Sequence, residues 1–459
     1  MMRRTRSRNF SDRLKVLPVL LMLCSTIETQ AKDEEPVILE HADSLVGRVV
    51  NGESVRELIG NVVLRQGTTI LRCQRAVQYF QTDRIDLEGN VIVTNDTLTL
   101  ISPSANYDSR TKIATTIAGL TFIDAGRQLT ASRGSYNADS ETAQFDGNVA
   151  LSDSTSRVES DQLTYYRKEK RFVAHGNVIV SNAADRVWVV GEELIHRESP
   201  YFSRMNYQPI LMRIDTTEKG RIDTLFVQSK MMEVVGDSVR KYIARDSVQI
   251  TRGILAARCV LAQFDPDADT MSLTGNPVLW YERTQARGNL VKVLLHNHHP
   301  SDVLILGDAI AVSETDTTHP ERRDQLGGAR IELKFLHDSL RSVTAFGNAM
   351  SFSFLFDEGK PNGVNQTTAD RITLELGYGT KENQREGVLK RVIAVGGVQG
   401  NYYPENMVRD NVQEYRLPNY FWETKRPELH TPPLLLARLN RHTSSQGTSV
   451  ISRDGRGSP

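Results

Sequence analysis

The sequence predicts an all-β chain: a stack of antiparallel, two-strand repeats of about 29 residues each, set in two blocks. Three observations predict it. The tripeptide Gly-Asn-Val recurs at near-constant intervals. The segments between its copies alternate apolar and polar residues with period two. No stretch beyond residue 31 shows helical periodicity.

The tripeptide begins at Gly60, Gly89, Gly147 and Gly176, and Gly119 in Ile-Ala-Gly-Leu occupies the gap. The successive intervals are 29, 30, 28 and 29 residues. Self-similarity at a fixed period is the signature of a repeat architecture. Thirteen residues after the first four of these glycines stands a small residue, namely Cys73, Ser102, Ser132 and Ser160. A tyrosine follows (Tyr79, Tyr107, Tyr136, Tyr165), and then a polar turn such as Thr82-Asp83-Arg84. Beyond residue 221 the pattern is degenerate. Asp246-Ser247-Val248 replaces the tripeptide, Cys259 again stands thirteen residues on, and Gly275, Gly307, Gly347 and Gly396 head further copies. Cys73 and Cys259 share their position with serines, so they read as small-residue fillers and not as a redox pair.

Each copy has room for two strands of about ten residues with their turns. Glycine inside a strand marks a bulge or bend, where a Cβ would clash or φ is positive. Each repeat then becomes a bent rung, and stacked rungs form two facing sheets around an interior that no single repeat could bury. Such a stack leaves unpaired strand edges at both ends, and these invite strand addition.

The chain divides on the same evidence. Residues 1–31 read as an export signal: a basic start (Arg3, Arg4, Arg6, Arg8), a short apolar core from Val16 to Thr26 and the small-residue site Thr29-Gln30-Ala31. Residues 32–195 form the regular repeat block, and 196–220 form a hinge or insertion carrying Pro200 and Pro209. Residues 221–404 form the degenerate block, and 405–459 a largely disordered C-terminal segment. The 56 basic and 56 acidic residues balance, so no global charge draws the chain to nucleic acid.

No catalytic constellation stands out: there is no phosphate loop, nucleophile elbow or zinc-protease motif. His296-Asn297-His298-His299 and Asp265-Pro266-Asp267-Ala268-Asp269 fall where other copies have polar turns, so no metal or cofactor is expected. The positions suited to a function are apolar ones facing the interior. The alternation selects Val62, Leu64, Val91, Val93, Val149, Leu151, Val178 and Val180, while Gly60, Gly89, Gly119, Gly147, Gly176, Gly275 and Gly347 define the repeat.

With its export signal, its ordered Gly-Asn-Val series and phrases such as Ser-Asp-Gln-Leu-Thr-Tyr-Tyr ahead of His-Gly-Asn-Val (160–178), the chain resembles the LptA/OstA-like family of lipopolysaccharide-transport proteins. The resemblance spans roughly residues 37–195 and, more loosely, 221–400. It implies an antiparallel β-jelly roll (a β-taco) open along one side, with an apolar groove for acyl chains. It implies a non-catalytic carrier or bridge for lipopolysaccharide in the periplasm. Its partners would be lipopolysaccharide, other envelope transport proteins or a second copy paired head to tail, and the periplasmic face of the outer membrane. The alternative is a structural or adaptor repeat protein of the envelope without lipid cargo.

Overall fold

The computed structural model describes residues 35–216, 220–296, 299–337, 339–377 and 388–438. Segments rich in valine, isoleucine, leucine and threonine form strands, and pieces rich in Asn, Asp and Gly form the turns between them. The described strands belong to the unit Val37–Pro459 and join one sheet of 30 strands. The pairing is antiparallel throughout, and it is a meander. Glu53–Gln66 pairs with Thr69–Tyr79, which pairs with Arg84–Asn95, which pairs with Leu98–Asp108.

This meander is folded in two along a line of bulges. Val55 to Ile59 oppose Tyr79 to Arg75, the register slips, and Val62 to Gln66 oppose Cys73 to Thr69. The same slip falls between Glu88 and Val91, Asp146 and Val149, His175 and Val178, Arg245 and Val248, Leu306 and Ala309, and Phe346 and Ala349. At Gly119 the strand is interrupted instead, between Ile113–Thr116 and Leu120–Asp124. A strand bent once has two arms. Stacked rungs therefore form a V in section, with the bulges at its apex and the turns along its mouth.

The dipeptide at the apex has a conformational cause. Gly60 and Asn61 have φ of 76° and 47°, and Gly147 and Asn148 have 78° and 50°. Two consecutive left-handed residues favour Gly followed by Asn, the least penalised side chain there. Space adds a second demand, since a Cβ on Gly89 would lie 2.8 Å from the Gln74 Cβ. Asp246-Ser247 adopts the same conformation without glycine, and so does Tyr207-Gln208, with φ of 64° and 60°. This last pair is a copy that the sequence pattern misses.

Where the small residue across from a bulge is Ser or Cys it is a hydrogen-bond donor as well as a filler, whereas Gly191, Gly328 and Ala369 fill the same place without donating. Cys73 Sγ donates to the Arg75 carbonyl at 3.1 Å, Ser102 Oγ to the Ser104 carbonyl at 2.8 Å and Ser160 Oγ to the Gln162 carbonyl at 2.9 Å. Ser229, beside the Tyr207-Gln208 bulge, donates likewise to the Met231 carbonyl at 2.9 Å. Each bond satisfies a carbonyl at the point where the slip breaks the ladder. Cys73 and Cys259 are both free and buried. Burial pushes their thiols up to about 11 and about 12.

Two corrections concern the boundaries. Residues 196–220, expected to be a hinge or insertion, carry the strands Phe202–Asn206 and Ile210–Thr216, both paired with Val187–Arg197. Pro200 and Pro209 fall between these strands, where no ladder hydrogen bond is needed. The segment after 404, expected to be largely disordered, is ordered from 405 to 438, while 439–459 lie outside the described residues. It forms a strap over the outer face of one arm. That face carries the buried row Ala256, Trp280, Gln285, Val312, Gln325 and Phe352, each opposite the next across the ladder. Val408, Tyr415, Leu417 and Phe421 cluster with it. Gln325 donates to the Tyr415 carbonyl at 3.0 Å and accepts from Leu417 N at 2.7 Å. Gln285 does the same with the carbonyl and N–H of Glu423, at 2.7 and 2.9 Å. Farther along, Thr431 reaches Met212, and Arg438 pairs with Glu159 at 2.9 Å, so the strap runs back over both halves of the stack.

Ser102→Ala should cost about 1–3 kcal/mol, because a buried carbonyl loses its donor, while Ser102→Cys should keep most of the stability. Urea unfolding measures both, and an alanine variant as stable as the parent removes the donor role. Gln285→Ala should also cost about 1–3 kcal/mol, since two backbone groups of the strap lose their partner. It should open the strap to limited proteolysis near residue 423, and an unchanged digest would count against the docking described.

Candidate functional site

The register of the ladder builds the interior surface, because directly opposed residues share a face. On one arm a single row runs Leu64, Leu71, Val93, Leu100, Phe122, Leu129, Leu151, Val158, Val180 and Val189. It continues through Leu211, Val227, Ile250, Ala257, Leu279, Ala286, Ala311 and Leu326. Every member is apolar, and the row crosses residues 196–220 without a break. On the facing arm of the second half lies a matching row, Met271, Val293, Val303, Leu333, Val343 and Leu374.

The two halves present this interior differently. Val62, Leu64, Val91, Val93, Val149 and Val178 are at most 1% exposed, while Leu151 and Val180 are half-buried. From Ala257 onward the row is built of alanine and leucine alone, and Leu279 and Ala311 in it are partly exposed. Leu279, Met271, Val293, Val343 and Leu374 are only partly buried against the second core. The sequence reading named residues of the first half alone. Period-two alternation identifies the inward face, but it does not show how closely two arms approach.

Polar groups close the mouth of the first half. Tyr107 donates to Gln66 Oε1 at 2.6 Å, and Gln66 Nε2 donates to the Ser109 carbonyl at 2.9 Å. Arg167 reaches across to Asp124 and Asp96, both at 3.2 Å, and to Thr97 at 2.9 Å. Tyr165 donates to the buried Asp124 at 3.1 Å, and Arg127 pairs with Glu198. The recurrent mid-repeat tyrosines thus have a reason, because two of them carry their hydroxyls across the mouth. Burial, then the Asp124 carboxylate, pushes Tyr165 up to about 12. In the second half Arg252 lies 3.2 Å from His299, and the rings of Tyr281 and Phe335 meet edge to face.

Among the described residues no group of three or more His, Cys, Asp or Glu side chains is placed to hold a metal ion. Asn297 and His298 of the histidine quartet lie outside those residues. The Asp265–Asp269 stretch is a turn, with Asp265 Oδ1 accepting from Asp267 N and Ala268 N. No described helix is long and apolar enough to cross a membrane.

Comparison with known families places this geometry. Residues 34–118 and 86–161 match the family of OstA-like proteins, and residues 128–298 match the family described as LptA/(LptD N-terminal domain) LPS transport protein. The chain belongs to the LptA/OstA-like family. The LptA-type match passes through 196–220, as the ladder does. Among solved structures, the chain is similar to the crystal structure of LptH, the LptA homologous periplasmic component of the lipopolysaccharide transport device from Pseudomonas aeruginosa. The two share 15% identity over 30% of this chain and 93% of that one, with a TM-score of 0.21. No curated protein matches the chain.

One titratable group of this OstA-like interior gives a pH test. His196 lies 2.7 Å from Ser203 Oγ, with its ring tilted against Phe172 and meeting Tyr201 edge to face. Burial, then the nearby Arg127 charge, pushes it down from 6.5 to about 4. The unfolded imidazole takes up its proton near the ordinary value, and the folded one only near the lower value. Its contribution to stability is therefore complete above 6.5 and is lost as the pH falls toward 4. At pH 5 the loss should approach about 2 kcal/mol, and His196→Gln should flatten the stability-versus-pH curve by that amount. Equal slopes for parent and variant would sink this assignment.

Proposed function

We propose that this chain is an exported, non-catalytic carrier or bridge for lipopolysaccharide in the periplasm, holding acyl chains against the interior of the V. The observation that carries the reading is the unbroken apolar row from Leu64 to Leu326, which offers one path through both halves. Burial against such a surface contributes about 0.8 kcal/mol per CH₂, enough for reversible holding of an acyl chain. Membership of a lipopolysaccharide-transport family supports the same reading. Within the path, Val62, Leu64, Val91, Val93, Val149, Leu151, Val178 and Val180 are the contacts in the first half, and Met271, Leu279 and Val293 those in the second.

The ends of the stack support assembly. Ser44–Val50 and Val388–Val395 are terminal strands of the described sheet, and both are mostly exposed. Val49 is 69% exposed and Val388 56%. Apolar strands with a free edge suit head-to-tail addition of a second copy, of another transport protein or of a component at the outer membrane. The export signal (1–31) lies outside the described residues, and the periplasmic location rests on it and on the family.

A second reading, an envelope adaptor without lipid cargo, is favoured by the closed interior of the first half, where six of the eight candidates present almost no surface. Photo-crosslinking separates the two. A photo-reactive residue would replace Val93, Val180 or Leu279, with Asp83 and Lys168 as turn controls, and the gel would be probed for lipid A after illumination. Adducts at Leu279 and Val180 with none at the turns are the expected result. Folded protein without an adduct at any interior position would leave the adaptor reading standing.

A further inference from the structure

We propose that the ion-pair cluster centred on Arg167 is a latch across the mouth of the first half, and that this half opens by its release. Three observations carry the proposal. First, the cluster joins parts of the fold that the ladder does not. Asp96 and Thr97 lie in a turn and Asp124 ends a strand on one lip, and Arg167 lies in a turn on the other. The described strands pair along each arm and around the apex, not across the mouth. Second, the latch closes directly on the apolar path. Asp124, Arg127 and Tyr165 line the same cleft as Phe122, Leu129 and Leu151, and this cleft holds only about 10 Å³, room for a single water. Third, the halves differ. In the second half, where Arg252 meets His299 and Tyr281 accepts from Leu340 N across the mouth, several inner residues are partly exposed, whereas those behind the Arg167 cluster are mostly buried.

Electrostatics make the latch releasable. The Asp96 side chain is 72% exposed and that of Arg167 is 17% exposed, so part of the network faces solvent, where ion pairs are weak. Asp124 is 5% exposed, so its charge depends on Arg167, Tyr165 and Thr97 together. An anionic amphiphile at the mouth would compete for the guanidinium while its chains replace the closed interior. This last step rests on the lipid reading above, whereas the latch itself does not.

Spin labels on Ala125 and Glu169, exposed residues on opposite lips, would report the width of the mouth in the full chain. Cys24→Ser would remove the third thiol, and the buried Cys73 and Cys259 would stay unlabelled. The parent should give one short, narrow distance distribution. Arg167→Ala should lengthen and broaden it by several ångströms, and Arg167→Lys should fall between. Asp96→Asn, at an exposed carboxylate, should lengthen it slightly without loss of fold, which keeps the test available if Arg167→Ala misfolds. Distances unchanged in folded variants overturn the latch. Purified lipid A in dodecyl maltoside should widen the parent, and dodecyl maltoside alone should not. Widening by Arg167→Ala with no response to lipid A would keep the latch and count against lipid loading. Widening by lipid A with no effect of either substitution would overturn the latch and keep loading.

Discussion

The fold depends on one backbone constraint, two consecutive residues in the left-handed region at the bend of almost every rung, with Gly119 alone serving where the strand is interrupted. At Gly60-Asn61 and its counterparts the strand must bend, because the register slips and the ladder breaks there. Everything else follows from where that bend falls. It makes two arms from one strand, puts the bend carbonyls in need of a donor, and sets a small residue opposite, which is Ser or Cys in several rungs and Gly or Ala in others. Glycine is favoured twice, by its φ and by the side chain that a Cβ would strike. Where glycine is lost, as at Asp246-Ser247 and Tyr207-Gln208, the neighbouring rungs hold the conformation against its local cost.

The bend also sorts the chemistry. Alternation on each arm directs one set of side chains inward, where they form a continuous apolar surface, and leaves the turns to line the mouth. The polar groups of those turns either meet water or meet each other. In the first half they meet each other, through Gln66, Tyr107, Asp124, Tyr165 and Arg167, and the interior behind them is closed. In the second half alanines replace larger residues in the row, and more apolar surface stays open. The C-terminal strap adds a third layer there. Its cost in ordered backbone is offset by apolar burial and by two glutamines, Gln285 and Gln325, that bond its peptide groups as a neighbouring strand would.

Local rules made much of this legible in the amino-acid order. Period-two alternation identified strands, Gly-Asn-Val identified the bends, and the interval between copies identified stacking, because each reflects the conformational preference of a few adjacent residues. The inward direction of Val62, Val93, Val149 and Val178 was legible for the same reason. What only the tertiary structure decided involves residues distant in the chain. Tyr207-Gln208 bends without a favourable sequence because the rungs on either side impose the bend. Residues after 404 looked unstructured because their partners, Gln285, Gln325 and Glu159, stand roughly a hundred residues or more away. Arg167 reads as an ordinary turn residue until the V brings Asp96 and Asp124 to face it. Alternation encodes which way a side chain points. The distance between two arms, and so whether an interior is open or latched, depends on packing across the V that no local pattern contains.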